Sequence, residues 1–514
     1  SRVVTGLPEN PRLSDVSWSP DGEHLCFTNT TPDGVELWVA PVATAEARRL
    51  TDAVISLSAG EDPFWLSDSA TIVACFRPSD RTAGSRPPEA PRVPGGPIVQ
   101  ESIGTEAPAR TYQDMLKDSH DEELFDWYFT ARVGLVDLSG DVTLIGDQKV
   151  LWGVSSSPDG SYLLVQSLHR PYSYTVPAYR FPLLVEVWDM EGNVVHTVVD
   201  HPLREQIPIT RGSTYTGPRS IRWRADAPST LYWAEALDGG DAGVEADYRD
   251  RLYTLAAPFD GEPVEFITLE LRYSDVMWGH DGLAIVEDYW WKDRRIRWLK
   301  VEPGSPEVAP VLLQDYSWQD RYNDPGTPTM TPSGYGRYVL MTGDDANTIF
   351  LIGDGASPEG DRPFLDAFDT RSLETSRLFR SEAPYYERPI IVMNKDARHI
   401  ITSRESVDEV PNYFMRDLLE GTTRQLSDNP DPTPQLRGMQ KELIRYQRAD
   451  GVDLTATLYL PEGYDPETDG PLPMLMWAYP REFKSADDAG QVDDSPYRFD
   501  WIGWWSPALW VTQG

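Results

Sequence analysis

Short segments in which apolar and polar residues alternate run along most of this chain and predict β-strands. Two such segments flank the sequence WSPDG at residues 18–22, and two more flank SSPDG at 156–160. Pro early in each turn and Gly at its end suit a type I turn, in which the Asp side chain can hydrogen-bond to nearby backbone. Each copy therefore predicts two antiparallel strands joined by a tight turn.

The same arrangement recurs in weaker copies, each with an apolar residue three positions before a turn residue. The weaker copies are Trp65 before Asp68, Trp223 before Asp226, Trp278 before Asp281, Met330 before Ser333 and Met393 before Asp396. The shorter intervals are near the roughly 40 to 50 residues of a four-stranded propeller blade. The pattern predicts an all-β β-propeller of about seven blades over residues 1–436, with the repeated Trp packed between blades. Unrelated hairpins in a β-sandwich are the alternative.

The longest interval between copies contains an insertion at residues 78–129. Residues 78–109 are rich in Pro, Gly, Ser and Arg, which predicts an irregular excursion. Residues 110–129 place apolar and aromatic side chains at helical spacings. They predict a helix that lies on the propeller or caps a binding site.

The pattern changes at residue 437. Residues 442–446 and 454–460 predict two strands of a hairpin around the turn at 449–451. Residues 473–478 (PMLMWA) form a continuous apolar run, which is typical of a strand buried on both faces of an α/β sheet. The sequence therefore predicts the beginning of an α/β domain at 437–514, truncated before it is complete.

Charge limits the possible partners. The 514 residues include 82 acidic and 46 basic side chains, a net charge of −36, so the surface repels nucleic acid and anionic membranes. No stretch reaches the roughly 20 apolar residues of a membrane span. We therefore expect no nucleic-acid partner and no membrane span. The oligomeric state and the cellular compartment stay open.

Motifs for metal or cofactor chemistry are missing from the sequence. The seven histidines show no HExxH spacing, and the two cysteines, Cys26 and Cys75, form no CxxC pair. We therefore expect no metal and no cofactor. One acidic cluster could bind calcium but lacks EF-hand spacing, so a solvated acidic loop is the favoured interpretation. Its members are Asp238, Asp241, Glu245, Asp247 and Asp250.

The residues of a serine-hydrolase triad are also missing. The sequence has no G-x-S-x-G pentapeptide, the usual setting of the nucleophile in an α/β-hydrolase, and no histidine follows His399. We expect the catalytic Ser, Asp and His to lie outside this chain. The chain alone should then be inactive.

Several long stretches resemble the prolyl oligopeptidase family of serine peptidases, and most closely the glutamyl endopeptidases of chloroplasts and bacteria. They include SLHRPYSYTVP at 167–177, WRADAPSTLYWAEALDGGDA at 223–242, DGVDLTATLYLPEGYDP at 450–466 and PLPMLMWAYP at 471–480. The resemblance implies a propeller that gates access to an α/β-hydrolase domain, and cleavage of peptides or unfolded polypeptides after Glu. The chain would be the front portion of such an endopeptidase. A non-catalytic propeller that serves as a binding scaffold is the alternative.

The resemblance also suggests site residues. Tyr479 occupies the place of a family Tyr whose hydroxyl donates to the oxyanion, although a Tyr packed at a strand end is the alternative. Cleavage after Glu requires a cation, and Arg suits bidentate binding of a carboxylate. Arg170, Arg180 and Arg481 lie in family-like text and are candidates for substrate binding. Ordinary structural ion pairs are the alternative for each of them.

Overall fold

The computed structural model describes residues 2–58, 62–81, 84–91, 112–208, 210–479, 481–503 and 506–513. This part of the chain contains 31 strands and two α-helices. The chain forms two compact units. Unit 1 comprises Ser1–Tyr273 and Pro332–Tyr338, and unit 2 comprises Ser274–Thr331 and Val339–Gly514.

Unit 1 contains three antiparallel sheets. Its strands are β1 (Leu13–Trp18), β2 (His24–Thr31), β3 (Gly34–Pro41), β4 (Arg48–Arg49), β5 (Phe64–Trp65), β6 (Thr71–Phe76), β7 (Thr130–Asp137), β8 (Val142–Ser156), β9 (Tyr162–Leu168), β10 (Leu183–Asp189), β11 (Val194–His201), β12 (Arg219–Trp223), β13 (Thr230–Ala236), β14 (Asp250–Ala256) and β15 (Val264–Leu269). Strands β1 to β4 and β12 to β15 form four-stranded sheets, and β5 to β11 form one seven-stranded sheet. A helix, α1 (Ser119–Phe129), and a 3₁₀ helix (Ala178–Arg180) lie in its connections.

The remaining strands continue the pattern. They are β16 (Arg272–His280), β17 (Leu283–Trp290), β18 (Arg295–Val301), β19 (Val311–Ser317), β20 (Thr327–Pro328), β21 (Met330–Pro332), β22 (Tyr338–Leu340), β23 (Thr348–Gly353), β24 (Phe364–Asp369), β25 (Thr375–Arg380), β26 (Tyr386–Val392), β27 (His399–Glu405), β28 (Asn412–Asp417), β29 (Thr422–Gln425), β30 (Gln440–Gln447) and β31 (Asp453–Leu460). Three four-stranded sheets form from β16 to β19, from β20 with β23 to β25, and from β26 to β29. Two hairpins, β21–β22 and β30–β31, stand apart from them. The short helices are α2 (Ala486–Ala489) and three 3₁₀ helices (Arg321–Asn323, Pro434–Leu436, Pro507–Gln513).

Five sheets have the four-stranded antiparallel form of a propeller blade, so the predicted β-propeller is confirmed at this level. The seven-stranded sheet is continuous because β8 is long and changes partner along its length. The first part of β8 pairs with β7, and its second part, from Val150 to Ser156, pairs with β9.

The predicted turns fall at equivalent places in the sheets. Six of the seven connect two neighbouring strands of a four-stranded or seven-stranded sheet, as at Asp21 between β1 and β2 and Asp159 between β8 and β9. The carboxylates of Asp21 and Asp159 accept from the hydroxyls of Ser19 and Ser157 at 2.5 and 2.6 Å. This bond fixes the turn at the end of the first strand.

The seventh predicted turn, Met330 before Ser333, is present but does not occupy the equivalent place in its sheet. Ser333 lies at the tip of the small hairpin β21–β22, which is inserted before the turn of its sheet. The corresponding turn comes later, where Asp345 accepts from the backbone N–H groups of Asn347 and Thr348 at 3.1 and 2.9 Å. Both turns follow an apolar strand residue, so the local pattern alone could not distinguish them.

Two of the repeated tryptophans join neighbouring sheets of unit 1. The indole N–H of Trp65 donates to the carbonyl oxygen of Ser17 on β1 at 3.4 Å. Likewise, the indole N–H of Trp223 donates to the carbonyl oxygen of Ser155 on β8 at 3.3 Å. Trp18, in contrast, is 59% exposed. The predicted packing between blades therefore describes some of the repeated tryptophans and not all of them.

Helix α1 occupies the second half of the predicted helical stretch. The Asp118 side chain caps its first turn by accepting from two backbone N–H groups. Phe125 packs edge-on against Tyr172 and Phe181, with ring centroids 5.0 and 5.7 Å away, so the helix lies on the sheets of unit 1. Most of the predicted Pro-rich excursion at 78–109 lies outside the described residues. No helix in the described part of the chain is long and apolar enough to cross a membrane.

The C-terminal region differs from its prediction in one segment. The predicted hairpin is present as β30 and β31, but the apolar run 473–478 forms no strand. Met474, Met476 and Trp477 are 78%, 77% and 64% exposed. A strand buried on both faces needs neighbouring strands and covering layers, and none of the described strands pairs with this run. The domain boundary at 437 stays a prediction.

The acidic cluster after β13 is not a solvated loop throughout, contrary to expectation. Asp250 is fully buried, and Asp238 is 8% exposed. Arg272 joins them, donating from Nη1 to Asp250 and from Nη2 to Asp238, each at 2.7 Å. Arg219 also pairs with Asp250, and Arg249 pairs with Asp238 at 2.8 Å. Charge pairing therefore replaces hydration for these two carboxylates.

Because Asp250 faces two guanidinium groups in a dry environment, Asp250→Asn should lower the free energy of unfolding by about 3 to 5 kcal/mol. The matched control is Glu265→Gln, which removes a carboxylate that is 61% exposed and pairs with Arg251 at 2.6 Å. That change should cost less than about 1 kcal/mol. Urea denaturation of both variants measures the difference. Equal losses would contradict a structural role for the buried network.

Candidate functional site

A cavity of about 680 Å³ lies in unit 1 beside strands β5, β8 and β12. Part of its wall is apolar, with Phe64, Val154, Val185, Ile221 and Trp223 among the lining residues. This volume is in the range of small-ligand sites, which are typically about 300 to 1,000 Å³. The cavity is therefore large enough for a peptide segment.

The polar groups at this cavity differ in charge. His201 is buried, and its Nε2–H donates to the carbonyl oxygen of Pro218 at 2.6 Å. Burial lowers the pKa of His201, so the imidazole is neutral at pH 7. Arg219 is paired with Asp250. Asp62 is largely exposed at the cavity, and the small buried part of its side chain, together with the neighbouring Asp15, raises its pKa.

Arg337 is one of three arginines of the cavity wall, with Arg219 and Arg222, that the sequence analysis did not single out. It follows the Ser333–Gly336 turn of the β21–β22 hairpin, whose tip belongs to unit 1. Its Nη2 group donates to the carbonyl oxygen and the hydroxyl of Ser156 at 2.7 and 2.6 Å. Burial lowers the pKa of Arg337. The sequence gives no signal for Arg337, because its partner Ser156 is distant along the chain.

Arg170 lies in the connection between β9 and β10 and holds helix α1. Its guanidinium pairs with Glu122 and Asp126 of the helix, the second at 2.8 Å. Tyr174 supports the same contact by donating to Glu122 at 2.8 Å. The Arg170 side chain is 48% exposed. Its charge is thus balanced by two carboxylates of the protein, and its role in substrate binding stays a prediction.

Arg180 is buried in the same connection, at the end of a 3₁₀ helix. Its Nη1 group donates to the carbonyl oxygen of Ile207 at 2.7 Å. The nearby Arg204 donates to the carbonyl oxygens of Tyr179 and Phe181 at 2.7 and 3.0 Å. Burial first, and then the proximity of Arg180, lower the pKa of Arg204. Arg180 therefore binds the backbone of a neighbouring segment, and its role in substrate binding stays a prediction.

The two other predicted site residues lie in unit 2, just beyond the exposed run 473–478. Tyr479 is 81% exposed. Arg481 is also exposed, and it pairs with Asp493 at 2.8 Å. The four candidates thus form two groups, with Arg170 and Arg180 on one connection of unit 1 and Tyr479 and Arg481 on one segment of unit 2.

A titratable cluster in unit 2 was not predicted. Glu405 at the end of β27 lies 3.8 Å from the Nε atom of Arg498. Lys441 lies 3.5 and 3.4 Å from the carboxylates of Asp494 and Asp500. Burial raises the pKa of Glu405 to about 7, because Arg498 offsets the desolvation only in part and the nearby Asp494 opposes ionisation. Glu405 lies in no recognisable sequence motif, so the sequence does not indicate that this carboxylate is buried.

Metal chemistry finds no support among the residues that the structure describes. No group of three or more His, Cys, Asp or Glu side chains there could hold a metal ion. Cys26 and Cys75 are both buried, and they form no disulfide with each other.

The repeated four-stranded antiparallel sheets place the protein in the β-propeller class. Its sequence is 43% identical over the whole chain to a probable chloroplastic glutamyl endopeptidase of Oryza sativa subsp. japonica, and 42% identical to one of Arabidopsis thaliana. The resemblance to the glutamyl endopeptidases is therefore confirmed, and the chain is a homologue of these proteins along its whole length. It spans 57% and 55% of their lengths.

Comparison with solved structures gives weaker similarity. An acylaminoacyl peptidase of Pyrococcus horikoshii matches with a TM-score of 0.42 and 12% identity, covering 90% of this chain and 60% of that one. No family model matches the chain.

Because the pKa of Glu405 is about 7 in the folded protein and 4.5 ordinarily, the unfolded chain loses this proton at lower pH than the folded chain. This residue therefore lowers stability as pH rises from about 4.5 to 7. Glu405→Gln should remove that loss, so its unfolding free energy relative to wild type should increase by about 2 kcal/mol across this range.

Urea denaturation at several pH values measures this effect. The matched control is Glu374→Gln, at an exposed position of unit 2. A difference from wild type that stays constant between pH 4.5 and 7 for Glu405→Gln would contradict the raised pKa.

Proposed function

We propose that this chain is the propeller and the start of the catalytic domain of a serine endopeptidase that cleaves peptides after Glu. The observation that carries this proposal is the identity of 43% and 42%, over the whole chain, to two proteins named probable glutamyl endopeptidase. Identity at this level, without a gap in coverage of the chain, supports a shared reaction and a shared substrate class.

The proposed propeller has seven blades. Five are the separate four-stranded sheets, and the seven-stranded sheet supplies two more that share β8. The change of partner along β8, from β7 to β9, supports this division. The propeller would gate access to the catalytic domain, admitting peptides and unfolded segments while excluding folded proteins. A cavity of about 680 Å³ is consistent with entry of a few residues at a time.

In this proposal the catalytic triad lies outside the 514 residues, and the chain alone is inactive. The absence of G-x-S-x-G and of any histidine after His399 supports this assignment. The relatives are longer, since the chain spans 57% and 55% of them. The α/β-hydrolase domain would then begin with the hairpin β30–β31 and the apolar run 473–478, which would become a buried strand once its neighbours are present.

Tyr479 is the proposed oxyanion donor of the complete enzyme. Its 81% exposure supports this role, because the hydroxyl is not committed to packing. A positioned phenol stabilises negative charge that develops on the carbonyl oxygen of the cleaved bond. Arg481, two residues further on and exposed, is the proposed reader of the Glu carboxylate beside it, with Arg170 and Arg180 as the other candidates.

Intact mass of the purified native protein, before and after reaction with a fluorophosphonate, tests the proposal. A mass well above 57.9 kDa with a single adduct, together with cleavage of Glu peptides in preference to Gln peptides, would support a glutamyl endopeptidase. A mass near 57.9 kDa without an adduct would favour a non-catalytic scaffold. An adduct without preference for Glu would contradict the substrate assignment alone.

Tyr479→Phe in the complete enzyme should lower kcat by roughly 10- to 1000-fold, the usual effect of losing one oxyanion donor. Steady-state hydrolysis of a Glu peptide measures this effect. The matched control is Tyr446→Phe, which removes a half-exposed hydroxyl on β30 and should leave kcat unchanged. An unchanged kcat for Tyr479→Phe would exclude the proposed donor.

A further inference from the structure

The cavity of unit 1 has a cation without a carboxylate partner. Within the described residues, Arg337 makes hydrogen bonds only to the carbonyl oxygen and hydroxyl of Ser156. Arg219, at the same cavity, is neutralised by Asp250. A partly buried charge without a counter-charge is costly, and a protein with 82 acidic residues could readily have supplied one. The arrangement favours binding of an anion from outside.

The guanidinium of Arg337 is held in place and still has donors to offer. Both contacts to Ser156 involve Nη2, whereas Nε and Nη1 make no hydrogen bond to the described residues. The Ser156 contacts fix the orientation of the group, so less conformational entropy is lost when a ligand binds. A planar guanidinium fixed in this way suits a carboxylate.

The other lining residues indicate what kind of anion fits. Trp223, Phe64 and Val185 provide apolar surface for the methylene groups of a ligand. Arg222 also lines the cavity, whereas His201 is neutral at pH 7 and adds no further positive charge. Asp62, the acidic member of the described lining residues, disfavours a ligand with high negative charge. One carboxylate on an aliphatic stem, in a peptide, satisfies these conditions better than phosphate or a polyanion.

We propose that this cavity binds a Glu side chain of a peptide through Arg337. The proposal rests on the proposed function, and it adds a second place where Glu is recognised, on the propeller sheets themselves. Acidic peptides approaching a protein of net charge −36 are repelled over long range. A short-range pair with Arg337 inside the cavity would compensate for this repulsion and retain Glu-containing segments.

Calorimetric titration of the chain with N-acetyl-Ala-Glu-Ala-amide tests the proposal, and the Gln counterpart of the peptide is the comparison. The Glu peptide should bind at least tenfold more tightly than the Gln peptide. Arg337→Gln should abolish this difference, and Arg337→Lys should retain part of it. The matched control is Arg48→Gln, which removes an exposed arginine of β4 in the same unit and should leave the difference intact. Equal affinities of the two peptides for the wild-type chain would overturn the proposal.

A second variant keeps the test decisive if Arg337→Gln does not fold. Asp62→Asn removes an exposed negative charge at the cavity and should strengthen binding of the Glu peptide by about twofold to tenfold, without changing binding of the Gln peptide. An unchanged affinity of this variant for the Glu peptide would contradict binding of the peptide beside Asp62. Inorganic phosphate is the third probe, and binding as tight as that of the Glu peptide would overturn peptide recognition in favour of a simple anion site.

These measurements do not depend on catalysis. Equal binding of the Glu and Gln peptides by the wild-type chain, with Glu-directed cleavage by the complete enzyme intact, would reject the cavity proposal alone. Tight Glu-peptide binding by a protein that forms no fluorophosphonate adduct would support the cavity and reject the endopeptidase.

Discussion

Burial of arginine beside a limited number of well-placed carboxylates is the interaction on which much of this structure depends. In unit 1, Arg272 connects Asp238 and Asp250, and thereby joins the loop after β13 to β14. In unit 2, ion pairs such as Arg297 with Asp288 connect neighbouring strands in the same way. Each pair is tolerable in a dry environment because both charges and their hydrogen-bonding groups are satisfied together. An excess of acidic residues makes such partners easy to supply.

Against this background, an arginine that binds only backbone and hydroxyl oxygens is informative. Arg337, Arg180 and Arg204 use carbonyl oxygens where Arg272 and Arg297 use carboxylates. Arg180 and Arg204 thereby fix the connection between β9 and β10. Arg337 faces a cavity, so its remaining donors can be used by a ligand. The difference between a structural and a binding arginine therefore depends on what lies beside it.

Local sequence predicted much of the fold, because a propeller blade is built from local contacts. The side chains of Asp21 and Asp159 bond within a few residues of the chain, so these turns could be recognised from sequence alone. The prediction of a strand at 473–478 was wrong, since a buried strand depends on neighbouring strands that a local pattern does not specify. The burial of Asp250 and the position of Arg337 at the cavity could not be predicted for a similar reason. Their partners, Arg219 and Ser156, are distant in sequence. The candidate site was therefore less predictable than the sheets that form it.

Two places for recognising Glu would have different kinetic consequences. A cation such as Arg481 that holds the Glu side chain at the cleaved bond can strengthen its contact as the transition state forms, and so raise kcat. A cation in the propeller cavity holds a segment of the peptide equally in the ground state and the transition state. Uniform binding of this kind lowers KM and leaves kcat unchanged. An enzyme with both cations would bind Glu-rich polypeptides more tightly through the cavity, and would cleave fastest where Glu precedes the cleaved bond. The two preferences would be separable by mutation, because they depend on different side chains.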